Sequence, residues 1–376
     1  MYARVVSDLL QRGLLDARAV VHDGLDVRAV GRNVATWAID IHGANGVSLL
    51  VKDAGGVATR GRHATLAAEA RALMRLHAEP TLGASLPTVV AWDADAGLLA
   101  LERWPDAETL REYLARTRRQ SVRHALHLGR ALRLLHALPV RFEDAWSVAA
   151  APWVLSLHEP TLAWFRTSSA GNFALLELLQ TFPALGAELA SLRAEWRPTA
   201  ITHGDLKWDN VVVRSRRDDN GTSLWIVDWV SAAVGEPAWD VGAVLGEYLL
   251  AWLRSIPSGV ARESPAHDQA GVPLVVVQAA LRAFWSGYSQ AGEPDAAYRE
   301  RAVRYAGAWL VHQAYERLQE ASSLSPSDPR QLQLAFNILR HPIDAALTLF
   351  GLPDVPDVPD VPASPHHASA AELQRA

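Results

Sequence analysis

Ile201-Thr202-His203-Gly204-Asp205-Leu206-Lys207-Trp208-Asp209-Asn210-Val211-Val212-Val213 puts a carboxylate, an ammonium and a carboxamide on one tight loop, in front of an apolar run. A second run, Leu224-Trp225-Ile226-Val227-Asp228-Trp229, reads as a buried strand ending in one acid. Between them Arg214 to Ser223 is polar and contains Asn220-Gly221, a dipeptide that favours the tight turn of a hairpin. The two runs are expected to pair and to bring Asn210 and Asp228 together at one end.

These residue types suit phosphoryl transfer from a nucleotide to a hydroxyl. In that chemistry positioning and charge neutralisation carry most of the catalysis, and magnesium is held by hard oxygen ligands. Asp205 is the candidate to orient an acceptor hydroxyl and take its proton, Lys207 to sit near the transferred phosphate, and Asn210 and Asp228 to bind the metal. The motif resembles the aminoglycoside phosphotransferase and choline kinase family, which shares its fold with protein kinases. The resemblance rests on His203-Gly204-Asp205 with Asn210, on Asp228-Trp229, and on Gly235-Glu236-Pro237-Ala238-Trp239-Asp240. It implies an α+β, bilobal protein-kinase-like fold with a small antiparallel-sheet N-lobe and a large, mainly helical C-lobe. It also implies ATP and Mg2+ as cofactors, and a structural Asp240 that holds the catalytic loop through backbone hydrogen bonds.

Lysine occurs only twice, at Lys52 and Lys207, among 36 basic residues. On a surface arginine replaces lysine cheaply, but a planar guanidinium cannot copy a compact ammonium in a tight phosphate site. Both lysines stand where a kinase reading wants one. The net charge of -5 argues against a nucleic-acid binder and gives no reason to invoke a membrane surface. There is no cysteine, so disulfides and thiolate metal ligands are excluded. Met1 to Asp16 lacks a signal-peptide core, and no apolar run approaches the length of a membrane helix. A cytoplasmic location is the expectation.

Upstream, Leu25 to Ala29, Ala35 to Ile41 and Val47 to Lys52 read as successive strands separated by Gly31-Arg32-Asn33 and Gly43-Ala44-Asn45-Gly46. In the kinase-like order, the turn at Gly31, Arg32 and Asn33 covers the nucleotide phosphates and Lys52 ends the third strand. Thr65 to His77 has a helical apolar face of Leu66, Ala70, Leu73 and His77. Glu69 lies at its edge, where it can pair with Lys52 and fix it against the α- and β-phosphates. Thr88 to Trp92 and Leu98 to Glu102 close the sheet. The resemblance places adenine against the backbone of Leu101, Glu102 and Arg103, at a hinge. Asp106 is the expected N-cap of the first helix beyond it.

Residues 1–104 are thus read as a nucleotide-binding lobe and 105–350 as a catalytic and acceptor-binding lobe. Residues 351–376, a Pro-Asp-Val repeat with a His- and Ala-rich end, are read as a disordered Pro-rich tail. Helices are expected at Ser121 to Leu138, Gly242 to Ile256, Val272 to Gln290, Tyr298 to Ala321 and Pro329 to Leu349. His124, His127 and His136 are read as helix-surface or core residues.

Trp239, Trp252, Trp285, Arg254 and Arg304 are the candidates to line the acceptor side, with Arg141 to Pro198 as an added wall. Glu316 and Glu320 look like one solvated helix face. Flat apolar walls with mixed charge suit a Ser or Thr hydroxyl of a precursor peptide, with a lyase as partner in a peptide-modifying pathway. The alternative is a small-molecule kinase acting on an antibiotic, amino alcohol or sugar. A nucleotide-binding pseudokinase scaffold is a third reading, which intact Lys52, Asp205, Asn210 and Asp228 oppose.

Overall fold

Strict alternation in Ser48–Asp53 buries Leu49, Val51 and Asp53 on one face, the pattern of a strand covered on that side. In the computed structural model this strand, β3, is the middle of an antiparallel sheet of order β1-β2-β3-β5-β4. The others are β1 (Leu25–Ala29), β2 (Ala35–Ile41), β4 (Val89–Asp93) and β5 (Leu98–Glu102). The structure describes residues 2–352 except 31–34, 43–45, 56–59, 142–145, 215–223, 258–269, 291 and 293. The expected turn at Gly31, Arg32 and Asn33, most of the Gly43 turn, the Asn220-Gly221 turn and the tail beyond 352 lie outside the described residues.

The two faces of this sheet are covered differently. Val5 and Leu9, one turn apart on the Tyr2–Gln11 helix, pack with Leu15 against Ile39, Leu49, Val51 and Leu98. The four-residue spacing of Val5 and Leu9 is the sequence signal of this helical face. On the other side lies the Arg60–Leu76 helix, which starts earlier than expected and buries Leu66, Ala70, Leu73 and Leu76. The chain leaves β5 through Trp104, whose ring stacks on Trp225 with centroids 3.5 Å apart. That contact pins the exit from the small sheet to the large lobe.

Asp106 does not cap a helix; it pairs with Arg214 at 3.0 Å. Ala107–Thr109 instead forms β6, and Thr109 caps the next helix with Glu112 in a reciprocal capping box. Among the described residues four more short strands follow: β7 (Ala200–Thr202), β8 (Val211–Arg214), β9 (Leu224–Ile226) and β10 (Ala233–Gly235). They form a three-stranded sheet, β6-β8-β9, and a two-stranded sheet, β7-β10. Val211 pairs with Ile226 and Val213 with Leu224, so the two runs pair as expected from the sequence.

Behind these strands the lobe is helical. The Val122–His136 helix crosses Leu274–Ser289 through two facing glycines. A Cβ on Gly129 would lie 2.1 Å from Phe284 O, and one on Gly287 would lie 2.2 Å from Leu126 O. Backbone therefore meets backbone, and no side chain fits between. Gly129→Ala should destabilise the protein by about 1–3 kcal/mol through overpacking. Urea denaturation checks this, and an unchanged midpoint would mean that the helices separate freely.

Two further helices differ from expectation because of proline. The helix expected from Gly242 begins at Pro237, since a first-turn proline loses no hydrogen bond, and ends at Arg254. The stretch expected as one helix from Pro329 to Leu349 is two, Ser327–Arg340 and Pro342–Thr348. Pro342 has no N–H to continue the first. The chain stays packed through Phe350 and Leu352, both buried. Among the described residues no single helix is long and apolar enough to cross a membrane.

Candidate active site

His203 begins the site. Its N–H and that of Gly204 donate to the two oxygens of Asp240, at 2.7 and 2.9 Å. Asp240 is fully buried in the first turn of the Pro237–Arg254 helix. Burial alone would raise its pKa, but His136 at 3.2 Å and the loop N–H groups outweigh that and hold it below the usual carboxylate range. His136, read from sequence as a surface or core residue, is thus a support of the loop. The His203 ring is held at both nitrogens: Nε2 donates to Val227 O at 2.9 Å, and Nδ1 accepts from Asp205 N at 3.3 Å. Gly204 sits at φ +83°, and a Cβ there would lie 2.8 Å from Ser231 O. Only glycine makes this turn without strain. Trp239 Nε1 closes it by donating to Gly204 O at 3.0 Å.

This frame presents Asp205. Its Oδ2 accepts from Lys207 Nζ at 2.8 Å and lies 3.4 Å from Asn210 Nδ2, which also donates to Asp205 O at 2.8 Å. Asp205 Oδ1 has no hydrogen-bond partner among the described residues. Desolvation disfavours the Lys207 charge, but Asp205 outweighs it and raises the lysine pKa above its ordinary value.

On the small-lobe side Lys52 Nζ donates to Glu69 Oε1 and Oε2, each at 2.8 Å, and to Asp228 Oδ1 at 2.9 Å. Three N–H donors meet three carboxylate oxygens, so the ammonium is saturated. Glu69 is fully buried. Burial penalises the Lys52 charge, yet Glu69 and Asp228 outweigh it and its pKa is raised. Burial likewise works against the Asp228 charge, and Lys52 reverses this to lower its pKa. Asp228 sits at φ +65°, a left-handed conformation that an aspartate holds at a cost of about 1–3 kcal/mol. Val227 N donates to Asn210 O at 2.9 Å, so Asn210 and Asp228 are neighbours across the hairpin end.

Hard oxygens are what this pair offers a metal. Asn210 Oδ1 and Asp228 Oδ2 have no hydrogen-bond partner among the described residues, whereas both His203 nitrogens are committed. That donor set fits magnesium rather than a softer ion.

Two clefts meet at Asp205. One, of about 540 Å³, is lined by Val30, Leu50, Lys52, Glu69, Leu101 and Asp228 among others. The second, of about 290 Å³, is walled by Trp153, Trp196, Trp239, His312 and Glu316. Asp205, Lys207 and Ser231 line both. Asn210 lines neither; it lies behind Asp205 and is 5% exposed.

Of the hinge residues, Leu101 faces the first cleft. The Glu102 N–H donates to Thr88 O and the Arg103 N–H to Ser48 O, so both are engaged in the sheet. Their side chains turn to Thr88 and Asp40.

Of the residues expected on the acceptor side, Trp239 walls the second cleft, together with Trp153 and Trp196 from the 141–198 region. Trp252 and Trp285 are core residues, and Arg304 is bound to Glu195 at 3.0 Å. Glu316, read as part of a solvated face, is exposed and also lines the second cleft, one turn after His312. A four-residue spacing with His312 was the signal that could have shown it.

A small antiparallel sheet over a helical lobe, with Lys52–Glu69 across the cleft from Asp205, Asn210 and Asp228, defines a kinase-like phosphotransferase class of structure. The pattern of the family described as APH, "Phosphotransferase enzyme family", matches residues 35–271, well over half of the sequence. The chain belongs to that family. A search of curated proteins returned no match.

Similar solved structures include the microcompartment-associated aminopropanol kinase, at 15% identity and TM-score 0.51, covering 87% of this chain and 96% of that one. Choline kinase LicA from Streptococcus pneumoniae is 15% identical with TM-score 0.45, covering 89% and 99%. Macrolide 2'-phosphotransferase MphH from Brachybacterium faecium is 18% identical with TM-score 0.45, covering 86% and 98%. The first likeness shows the fold and leaves the acceptor open.

Proposed function

We propose that this protein transfers the γ-phosphoryl group of ATP, with magnesium, to a hydroxyl of a small molecule. One observation carries the reading: Asp205 and Lys207 form the shared wall of a cleft holding the Lys52–Glu69–Asp228 triad and a separate aromatic cleft. A phosphoryl donor in the first and an alcohol in the second would meet at Asp205. The acceptor oxygen then forms the new P–O bond as the β–γ bridge breaks, ADP leaves, and the hydroxyl proton passes to Asp205.

Each residue has its part in this reading. Asp205 Oδ1 receives the hydroxyl, while Lys207 and Asn210 hold Oδ2 and fix the carboxylate. Lys207 lies beside the phosphate in flight. Asn210 and Asp228 would hold magnesium, which would neutralise phosphate charge; Lys52, positioned by Glu69, would donate to a phosphate oxygen with the N–H that Asp228 gives up to the metal. Leu50 and Leu101 supply apolar walls for a base at the hinge end of the first cleft. The two-lobe division near residue 104 gives these groups to opposite sides.

The small-molecule acceptor is better supported than the peptide favoured from sequence. The second cleft, at about 290 Å³, is at the lower end of the ~300–1,000 Å³ typical of small-ligand pockets. Its indole walls, with Glu316 as an acid in addition to the Lys207-paired Asp205, suit a compact alcohol carrying a positive charge. The family match points the same way.

Purified protein with ATP and magnesium should phosphorylate a compact amino alcohol from a mixed panel of alcohols, aminoglycosides and Ser/Thr peptides. Transfer to peptides alone would refute the acceptor reading. Asp228→Ala should lose more activity than Asn210→Ala, since it removes a full charge from the metal. Undiminished turnover in excess EDTA would exclude the metal.

A further inference from the structure

Behind the catalytic loop lies a third cavity, of about 480 Å³, which shares no lining residue with either cleft. Three guanidinium groups reach it: Arg111 on the Leu110–Thr117 helix, Arg118 just after that helix, and Arg254 at the end of Pro237–Arg254. One acid lines it, Glu247. Arg111 is already engaged, donating to both Asp209 oxygens at 2.8 Å and reaching Glu247 Oε2 at 3.4 Å. Glu247 also accepts from Trp309 Nε1 at 3.1 Å and lies 3.4 Å from Trp208 N. Its charge is thereby turned toward protein donors.

The remaining donors have no such partners. Among the described residues Arg118 and Arg254 make no side-chain hydrogen bond or ion pair. Burial lowers the Arg254 pKa, and Arg111 adds to this while Glu247 opposes it. Trp208 also lines the cavity, with its Nε1 enclosed by protein. Leu114, Ala251 and Val272 make up much of the apolar wall.

We propose that this cavity binds a small phosphate-bearing anion, free phosphate or a phosphomonoester, between Arg118 and Arg254. Guanidinium forks match phosphate oxygens. The apolar wall and the room beyond one phosphate give a monoester the advantage over the free ion. Trp208 and Asp209 stand between Lys207 and Asn210, and Arg111 tethers Asp209, so an anion here acts directly on the back of the catalytic loop. Binding stands independently of the catalytic reading; a change in turnover on binding rests on it.

Calorimetric titration of the full chain with inorganic phosphate and with glycerol 3-phosphate, at ionic strength held by sodium chloride, tests the site. Saturable binding of at least one probe is expected, weakened about 10-fold or more by Arg254→Gln and by Arg118→Gln through loss of charge-assisted hydrogen bonds. Lys207→Gln, which alters the catalytic clefts alone, should leave it unchanged. Tighter binding of glycerol 3-phosphate assigns the cavity to a monoester, and equal binding assigns it to free phosphate. No saturable heat up to about 10 mM of either probe, or binding lost in Lys207→Gln and kept in Arg254→Gln, would overturn the proposal. In the second outcome the phosphate sits in the active cleft. A wild-type chain that binds the probe but transfers no phosphate to any alcohol would sink the catalytic reading and leave the cavity standing.

Discussion

Asp205→Asn is expected to abolish phosphoryl transfer while ATP still binds. The carboxamide keeps the shape of the side chain but cannot take the acceptor proton. Loss of a general base costs about 10²- to 10⁴-fold in turnover, and here the loss extends to positioning. Asp205 Oδ2 is the acceptor for both Lys207 Nζ and Asn210 Nδ2, so replacing the charged oxygen loosens two further groups of the site. ATP affinity should stay within a few-fold of wild type, because the nucleotide-side triad of Lys52, Glu69 and Asp228 does not include Asp205. A radiolabel transfer assay with calorimetry for ATP separates the two effects. Near-normal turnover would mean that another group takes the proton.

Lys52→Arg is expected to be nearly as damaging, although it keeps the charge. Three compact N–H donors meet three carboxylate oxygens in this structure, and the Lys52 side chain is only 12% exposed. A planar fork cannot reproduce that geometry. A fall on the order of 10²-fold in kcat/KM for ATP is expected, from charge-assisted hydrogen bonds worth about 1.5–3 kcal/mol each. Glu69→Gln should weaken the same step less, because Asp228 still holds the lysine. The double variant should be no worse than Lys52→Arg alone, since residues that act as one unit are not additive.

Lys52→Met asks a stability question of the same pair. It leaves Glu69 buried without a cation, which costs about 3–5 kcal/mol, and adding Glu69→Gln should restore part of that loss in denaturant titration. Fully additive losses would show that the two side chains do not depend on each other.

Local chemistry made much of this protein readable. Alternating strands, the pairing of β8 with β9 and the spacing of His203, Asp205 and Asn210 depend on neighbours within a few residues; the α+β, two-lobed architecture followed from the family resemblance those motifs carry. The scarcity of lysine singled out Lys52 and Lys207 because arginine substitutes everywhere except where a compact ammonium is needed. Glu69 could be placed at the edge of a helical face, so its meeting with Lys52 needed only that the helix lie on the sheet.

Other features depended on long-range packing. His136 reaches Asp240 across 104 residues, and nothing on its own helix marks it as different from His124 or His127. The second cleft joins Trp153, Trp196, Trp239, His312 and Glu316 from widely separated segments. Fourteen tryptophans in the chain look alike in sequence, and packing alone made Trp239 a wall and Trp285 core. Helical spacing says which residues share a face but not which neighbour that face meets. Only the tertiary structure therefore decided that Glu316 looks into a pocket, and that the back of the catalytic loop is lined by arginines.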